Sequence, residues 1–155
     1  MRISRHQMAM QIAEVVSRRA TCFRRNVGAV ITIDHRLCSV GYNGPASGEE
    51  HCKGLQCSGA SGGCTRAIHA EKNALTHLQS GVRGRIWRMY TTESPCPDCA
   101  GLITGFPIKQ VFYLHQYRLT EGCDMLLRRD VEVYRMTPAG HFINYRTGEL
   151  VEVEE

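Results

Sequence analysis

Three apolar runs in the second half of the chain, IWRMYTT (86–92), IKQVFYL (108–114) and VEVYRM (131–136), are separated by stretches of helical pattern. PDCAGLIT (97–104) carries Pro97 in a first turn, where a missing N–H costs nothing, and a further helix falls near 120–129. Strands that alternate with helices predict a sheet covered on both faces, with parallel pairs late in the chain.

The first half fits the same frame. Ser4 and Gln7 form a capping box ahead of Met8, Ile12, Val15 and Val16, which predicts a helix over about 5–19. VGAVITI (27–33) and LCSVGY (37–42) read as a hairpin with its turn at Asp34-His35-Arg36. Residues 43–66 are glycine-rich and without period, a length of loop that is functional or held by something. A helix is expected from about 66 to 79. The order α-β-β-α-β-α-β-α-β gives an α/β fold of three layers, α-β-α, with a central mixed five-stranded sheet. At 155 residues one domain is expected, its core at about 3–136; the tail 137–155 is left undecided between an edge strand and a loose end.

The formal charge is +4, from 19 basic and 15 acidic residues. So mild a bias does not argue for a nucleic-acid-coating surface. No apolar run has the length of a bilayer span, and MRISRHQMAM lacks the apolar stretch of a signal peptide. No membrane partner is expected, and the cytoplasm is the expected compartment, that of a host if the chain is phage-encoded. In such a compartment disulfides are disfavoured, so the eight cysteines read first as metal ligands.

Five of those eight flank HAEKNAL (69–75), which sets His69 and Glu71 two residues apart. On a helix, residues two apart do not share a face. The pair makes sense if the two side chains have different tasks. His69 opening one helix, with Cys96 and Cys99 opening the next, would give zinc one imidazole and two thiolates. A fourth tetrahedral position then stays open, and Glu71 stands beside it as general base and acid. Ile68, Leu75 and Leu78 would desolvate that carboxyl and raise its pKa. Without Glu71, a structural zinc site would explain the same ligands equally well.

H-x-E followed by P-C-x-x-C, here His69-Ala70-Glu71 and Pro95-Cys96-Pro97-Asp98-Cys99, is the signature of zinc deaminases. Together with TCFRRNVGAVI, GYNG (41–44) and the HC…C…C-T-R run, it makes the chain resemble the cytidine deaminase superfamily over about 3–136, and within it the deoxycytidylate (dCMP) deaminases of bacteria and phages. The resemblance implies zinc-assisted hydrolysis of dCMP to dUMP and ammonia, in support of dTMP synthesis. Glu71 would protonate the ring nitrogen and then the departing amine. It further implies that Asn43 holds the deoxyribose hydroxyl, and that Ala70 and Ser94 read the base edge through their backbones. The resemblance also implies a homohexamer activated by dCTP with magnesium and inhibited by dTTP. The second nucleotide would lie near Gly41, Tyr42, Gly44, Glu49 and His51. Lys72 inside the motif departs slightly from the family pattern.

Cys22, Cys52, Cys57 and Cys64 would suit a closed tetrahedral zinc that pins the glycine-rich loop, with His51 able to replace one of them; reduced free thiols are the alternative. A second, structural zinc in this region is also what the resemblance implies. A nucleotide phosphate needs a cationic cradle. By position, Tyr117 and Arg118 after the fourth strand are the first choice for it, ahead of Arg24 and Arg25. Two other functions keep the same zinc: a deaminase acting on tRNA or single-stranded DNA, and a non-enzymatic zinc-stabilised module. The first needs a basic channel with stacking aromatics, and the second has no use for Glu71.

Overall fold

The computed structural model describes residues 1–22, 24–52, 64 and 66–155. Its elements are α1 (Arg5–Ser17), β1 (Gly28–Ile33), β2 (Arg36–Tyr42), α2 (Ala70–Thr76), β3 (Trp87–Glu93), α3 (Pro97–Ile103), β4 (Ile108–His115), α4 (Glu121–Arg128), β5 (Glu132–Met136), β6 (Phe142–Asn144) and β7 (Leu150–Val151). They build one mixed sheet of order β2-β1-β3-β4-β5-β6-β7. β3, β4 and β5 run parallel, as the alternation with helices requires, and the remaining neighbours are antiparallel.

The sheet has seven strands, not the five expected. The tail supplies the other two: β6 pairs with β5, β7 with β6, and Phe142 is the buried anchor that pays for ordering so short an extension. Two local boundaries also differ. Helix α2 begins at Ala70 rather than near 66, because Ile68 exchanges backbone hydrogen bonds with Gly44 at 2.8 and 3.2 Å. The β1–β2 turn has two central residues, Asp34 and His35, both left-handed (φ 48° and 64°), and Arg36 already belongs to β2. The Asp34 carboxylate accepts from the Arg85 and Ile86 amides at 3.0 and 2.9 Å, which holds this strained turn.

Helices cover both faces. α1 lies on one, where Ala9, Met10 and Ala13 meet Val30, Tyr90, Phe112 and Tyr134. Its capping box is present, Ser4 Oγ accepting from the Gln7 amide and Gln7 Oε1 from the Ser4 amide. α2, α3 and α4 lie on the other, packed over Ile31, Met89, Val111 and Val133. Phe112 is fully buried at the centre of the α1 face, a burial that contributes about 1.5–3 kcal/mol. Two glycines set how closely the helices approach. A Cβ on Gly41 would come within 2.3 Å of the Ala70 carbonyl oxygen, so α2 rests directly on β2. A Cβ on Gly122 would fall 2.1 Å from the Pro95 carbonyl oxygen, so the start of α4 rests on the turn that leads into α3.

Candidate active site

Parallel pairing sets β3 and β4 side by side with their C-terminal ends together, Glu93 opposite His115. Ligands collect at that edge of an open α/β sheet. The chain leaving β3 passes through Ser94 and Pro95 to Cys96, the N-cap of α3, with Pro97 at the first helical position. His69 is the N-cap of α2 in extended backbone, φ −69° and ψ 153°. Because it stands outside the helical screw, the two-residue spacing to Glu71 no longer separates the side chains by a helical angle.

His69 Nδ1 lies 3.4 Å from Cys96 Sγ and 3.3 Å from Cys99 Sγ, and the three donor atoms all fall within 4.8 Å of one another. Zinc bonds of about 2.3 Å to sulfur and 2.0–2.1 Å to nitrogen in a tetrahedron place S and N about 3.6 Å apart, so the cluster fits that ion. Among the described residues, no fourth His, Cys, Asp or Glu joins this set. A hydrogen bond from Cys99 holds the Cys96 thiol far below its ordinary value, at about 4, which favours the thiolate. His69 is raised by its hydrogen bond with Cys96.

Glu71 is 4% exposed, and its Oε2 accepts from the Cys99 thiol at 3.6 Å. Burial pushes its carboxyl up to about 7. A group with that value gives and takes protons at neutral pH with little cost in either direction.

A cavity of about 660 Å³ opens over this cluster, and Val27, Asn43, Ala70, Ser94, Asp98 and Tyr117 are among its walls. Ala70 is fully buried at the first position of α2. Asn43 accepts from the Val27 amide and donates to the Arg25 carbonyl, both at 2.8 Å, so its side chain shapes the wall as well as facing the space. Ser94 Oγ accepts from the Tyr117 amide at 2.7 Å and from Gln116 Nε2 at 2.9 Å, tying the loop after β4 to the end of β3. Arg24, Arg25 and Arg118 also line the cavity, so the cationic residues expected for a phosphate all border it.

The other expected residues divide. Cys22 and Cys64 line the same cavity and Cys52 is half-buried, while Cys57 lies outside the described residues. Gly41 and Gly44 serve close packing, against α2 and against Thr21. Tyr42 is 37% exposed, its carbonyl accepting from Asn73 Nδ2. Glu49 lies 3.9 Å from Arg66, and His51 is exposed. Two residues escaped the sequence reading. Glu93 pairs with Arg25, and Gln116 joins Ser94 to the Tyr113 hydroxyl. Glu93 stands three residues before Cys96, and that proximity was the one available signal.

A mixed sheet whose C-terminal edge gathers an imidazole, two sulfurs and a sequestered carboxyl is the framework of a metal-assisted hydrolase. The chain belongs to the cytidine and deoxycytidylate deaminase family, whose zinc-binding region matches residues 3–115. It is 37% identical to ComE operon protein 2 of Bacillus subtilis over 76% of this chain and 62% of that one. It is also 37% identical to the deoxycytidylate deaminase of Mycobacterium phage D29, over 66% of this chain and 88% of the phage protein. The structure of the cyanophage S-TIM5 dCMP deaminase in complex with dCMP and dUMP superposes with a TM-score of 0.77 at 33% identity, covering 88% of this chain and 99% of that one. The chain spans 39–62% of the length of three cellular relatives that it matches. Among the described residues, no helix is long and apolar enough to cross a membrane.

Proposed function

We propose that this chain is a zinc-dependent deoxycytidylate deaminase that converts dCMP and water to dUMP and ammonia. The observation that carries the reading is Glu71: a buried carboxyl at about 7, beside three metal-ligand atoms that lack a fourth protein donor among the described residues. Likeness to the phage deaminases supports the choice of substrate.

His69, Cys96 and Cys99 would hold zinc, which when bound supplies Lewis acidity and a water of lowered pKa. Glu71 takes one proton from the attacking water as its oxygen bonds to carbon 4, and passes it to the ring nitrogen. It carries the second proton to the amine as the C–N bond breaks. Asn43 is assigned to the deoxyribose hydroxyl, and the backbones of Ala70 and Ser94 to the base edge. Tyr117, Arg118, Arg24 and Arg25 are assigned to the phosphate; their place on the cavity wall supports this.

A second zinc would be held by Cys22, Cys52, Cys57 and Cys64. Regulation by dCTP with magnesium and by dTTP, in a homohexamer, would engage the segment from Gly41 to His51, of which Tyr42, Glu49 and His51 are among the exposed residues. The product would feed dTMP synthesis in the cytoplasm, and the chain would act as a single domain.

The test is ammonia release from dCMP, CMP, deoxycytidine and a cytosine-containing oligonucleotide, each with and without dCTP and magnesium. Release from dCMP is expected. Release from the oligonucleotide alone would transfer the reaction to a nucleic-acid substrate.

A further inference from the structure

Deamination chemistry leaves one ion pair at the mouth of the cavity unexplained. Glu93, the last residue of β3, places Oε2 2.5 Å from Arg25 Nη1. The Arg25 guanidinium stands 5.0 Å from the centroid of the Tyr117 ring, and that of Arg118 stands 5.6 Å from the same centroid. All four residues line the cavity that holds His69 and Glu71. A carboxylate among cations meant for a phosphate has two opposed effects. It lowers the positive charge that a dianion meets, and it fixes a long side chain that would otherwise sample many rotamers.

Exposure decides between them. The Arg25 side chain is 46% exposed and that of Glu93 24%, so solvent and salt screen the repulsion of the carboxylate. The pair itself is in contact, far inside a Debye length, so it is screened less and still restricts the rotamers, and a group ordered before binding does not have to be ordered by the ligand. Glu93 also engages donors on one end of a guanidinium that has five, which leaves others for phosphate oxygens. The backbone that carries the ring is itself held: Ser94, the next residue after Glu93, accepts from the Tyr117 amide.

We propose that Glu93 is a positioning residue for the phosphate of the substrate, holding Arg25 on the face of Tyr117 so that a 5′-monophosphate meets a preset guanidinium. This rests on the nucleotide-monophosphate reading above and adds to it the residue that orders the cradle.

The test is steady-state kinetics with dCMP for the wild type, Glu93→Gln, Arg25→Ala and the double variant. Glu93→Gln is expected to raise KM about three- to fivefold, the size of an exposed pair, with the loss in KM rather than kcat. In the Arg25→Ala background the same change should add nothing, because the guanidinium it orders is gone. A KM that falls or stays level in Glu93→Gln overturns the proposal, and so do additive effects in the double variant. A wild type inert towards dCMP removes the substrate reading and this proposal with it, an outcome distinct from an active wild type whose Glu93 variant binds normally.

Discussion

The Cys99 thiol and the Glu71 carboxyl meet across the openings of two helices, Sγ donating to Oε2 at 3.6 Å. The acid thus stands beside the three donor atoms of the candidate metal site and is not one of them. Replacing Glu71 by Gln keeps the shape and removes the proton carrier. We expect zinc content to be unchanged and kcat to fall about 10²- to 10⁴-fold. Metal analysis and ammonia release on the same preparation check both halves.

Removing a ligand should act differently. Cys96→Ser or His69→Ala is expected to lose the catalytic zinc and with it both activity and thermal stability, because metal binding is linked to folding. Wild-type protein stripped with a chelator should melt lower and recover on adding zinc. If the thiolate set at Cys22, Cys52, Cys57 and Cys64 holds a second ion, wild type carries two zincs per chain and Cys52→Ser one, as read by metal analysis.

Gly122→Ala tests the seating of α4. In an open helix the change would stabilise by about 1 kcal/mol. Here the added methyl meets the Pro95 carbonyl at 2.1 Å, and backbone cannot step aside cheaply. A net loss of about 1–3 kcal/mol in denaturant unfolding is expected. Activity should fall as well, since Pro95 precedes Cys96, one of the three donors of the candidate metal site.

The stability contributed by His6 should decline on mild acidification. The His6 imidazole, 1% exposed, accepts from the Tyr90 hydroxyl at Nδ1 (2.8 Å) and donates from Nε2 to the Glu154 carbonyl (3.1 Å), so both nitrogens are satisfied in the neutral form. Burial holds its pKa below the ordinary value. The unfolded chain takes up a proton near pH 6.5 and the folded chain only at lower pH, so the unfolded state binds more protons in between. The His6 contribution is therefore lost as pH falls below about 6.5, and His35, also lowered by burial, adds in the same direction, while the raised Glu71 carboxyl acts in the opposite one. Melting curves with excess zinc should show the advantage of the wild type over His6→Gln narrowing as pH goes from 7.5 to 5.5.

The residues differ in how far sequence alone exposes them. The capping box of α1 is local, three residues apart, and the strand runs of β3, β4 and β5 carry their own pattern; such features are legible without a fold. His69 and Glu71 are legible as a motif, but helical geometry argues against the pair until His69 is placed as an extended N-cap. β6 and β7 are three and two residues long, too short for any period, and form only because β5 offers an edge. Glu93 is illegible for another reason. Its partner Arg25 lies 68 positions away, and nothing local to either residue announces the contact.

The direction of β3 has a practical consequence for spectroscopy. The only tryptophan of the chain, Trp87, begins that strand, and Glu93 ends it at the cavity, about 20 Å away at the rise of an extended strand. Tryptophan emission therefore monitors the end of β3 remote from the cavity, and is expected to follow melting while staying silent to a ligand in it. A tryptophan introduced at Tyr117, over which both guanidinium groups stand, would give the occupied pocket an optical signal of its own.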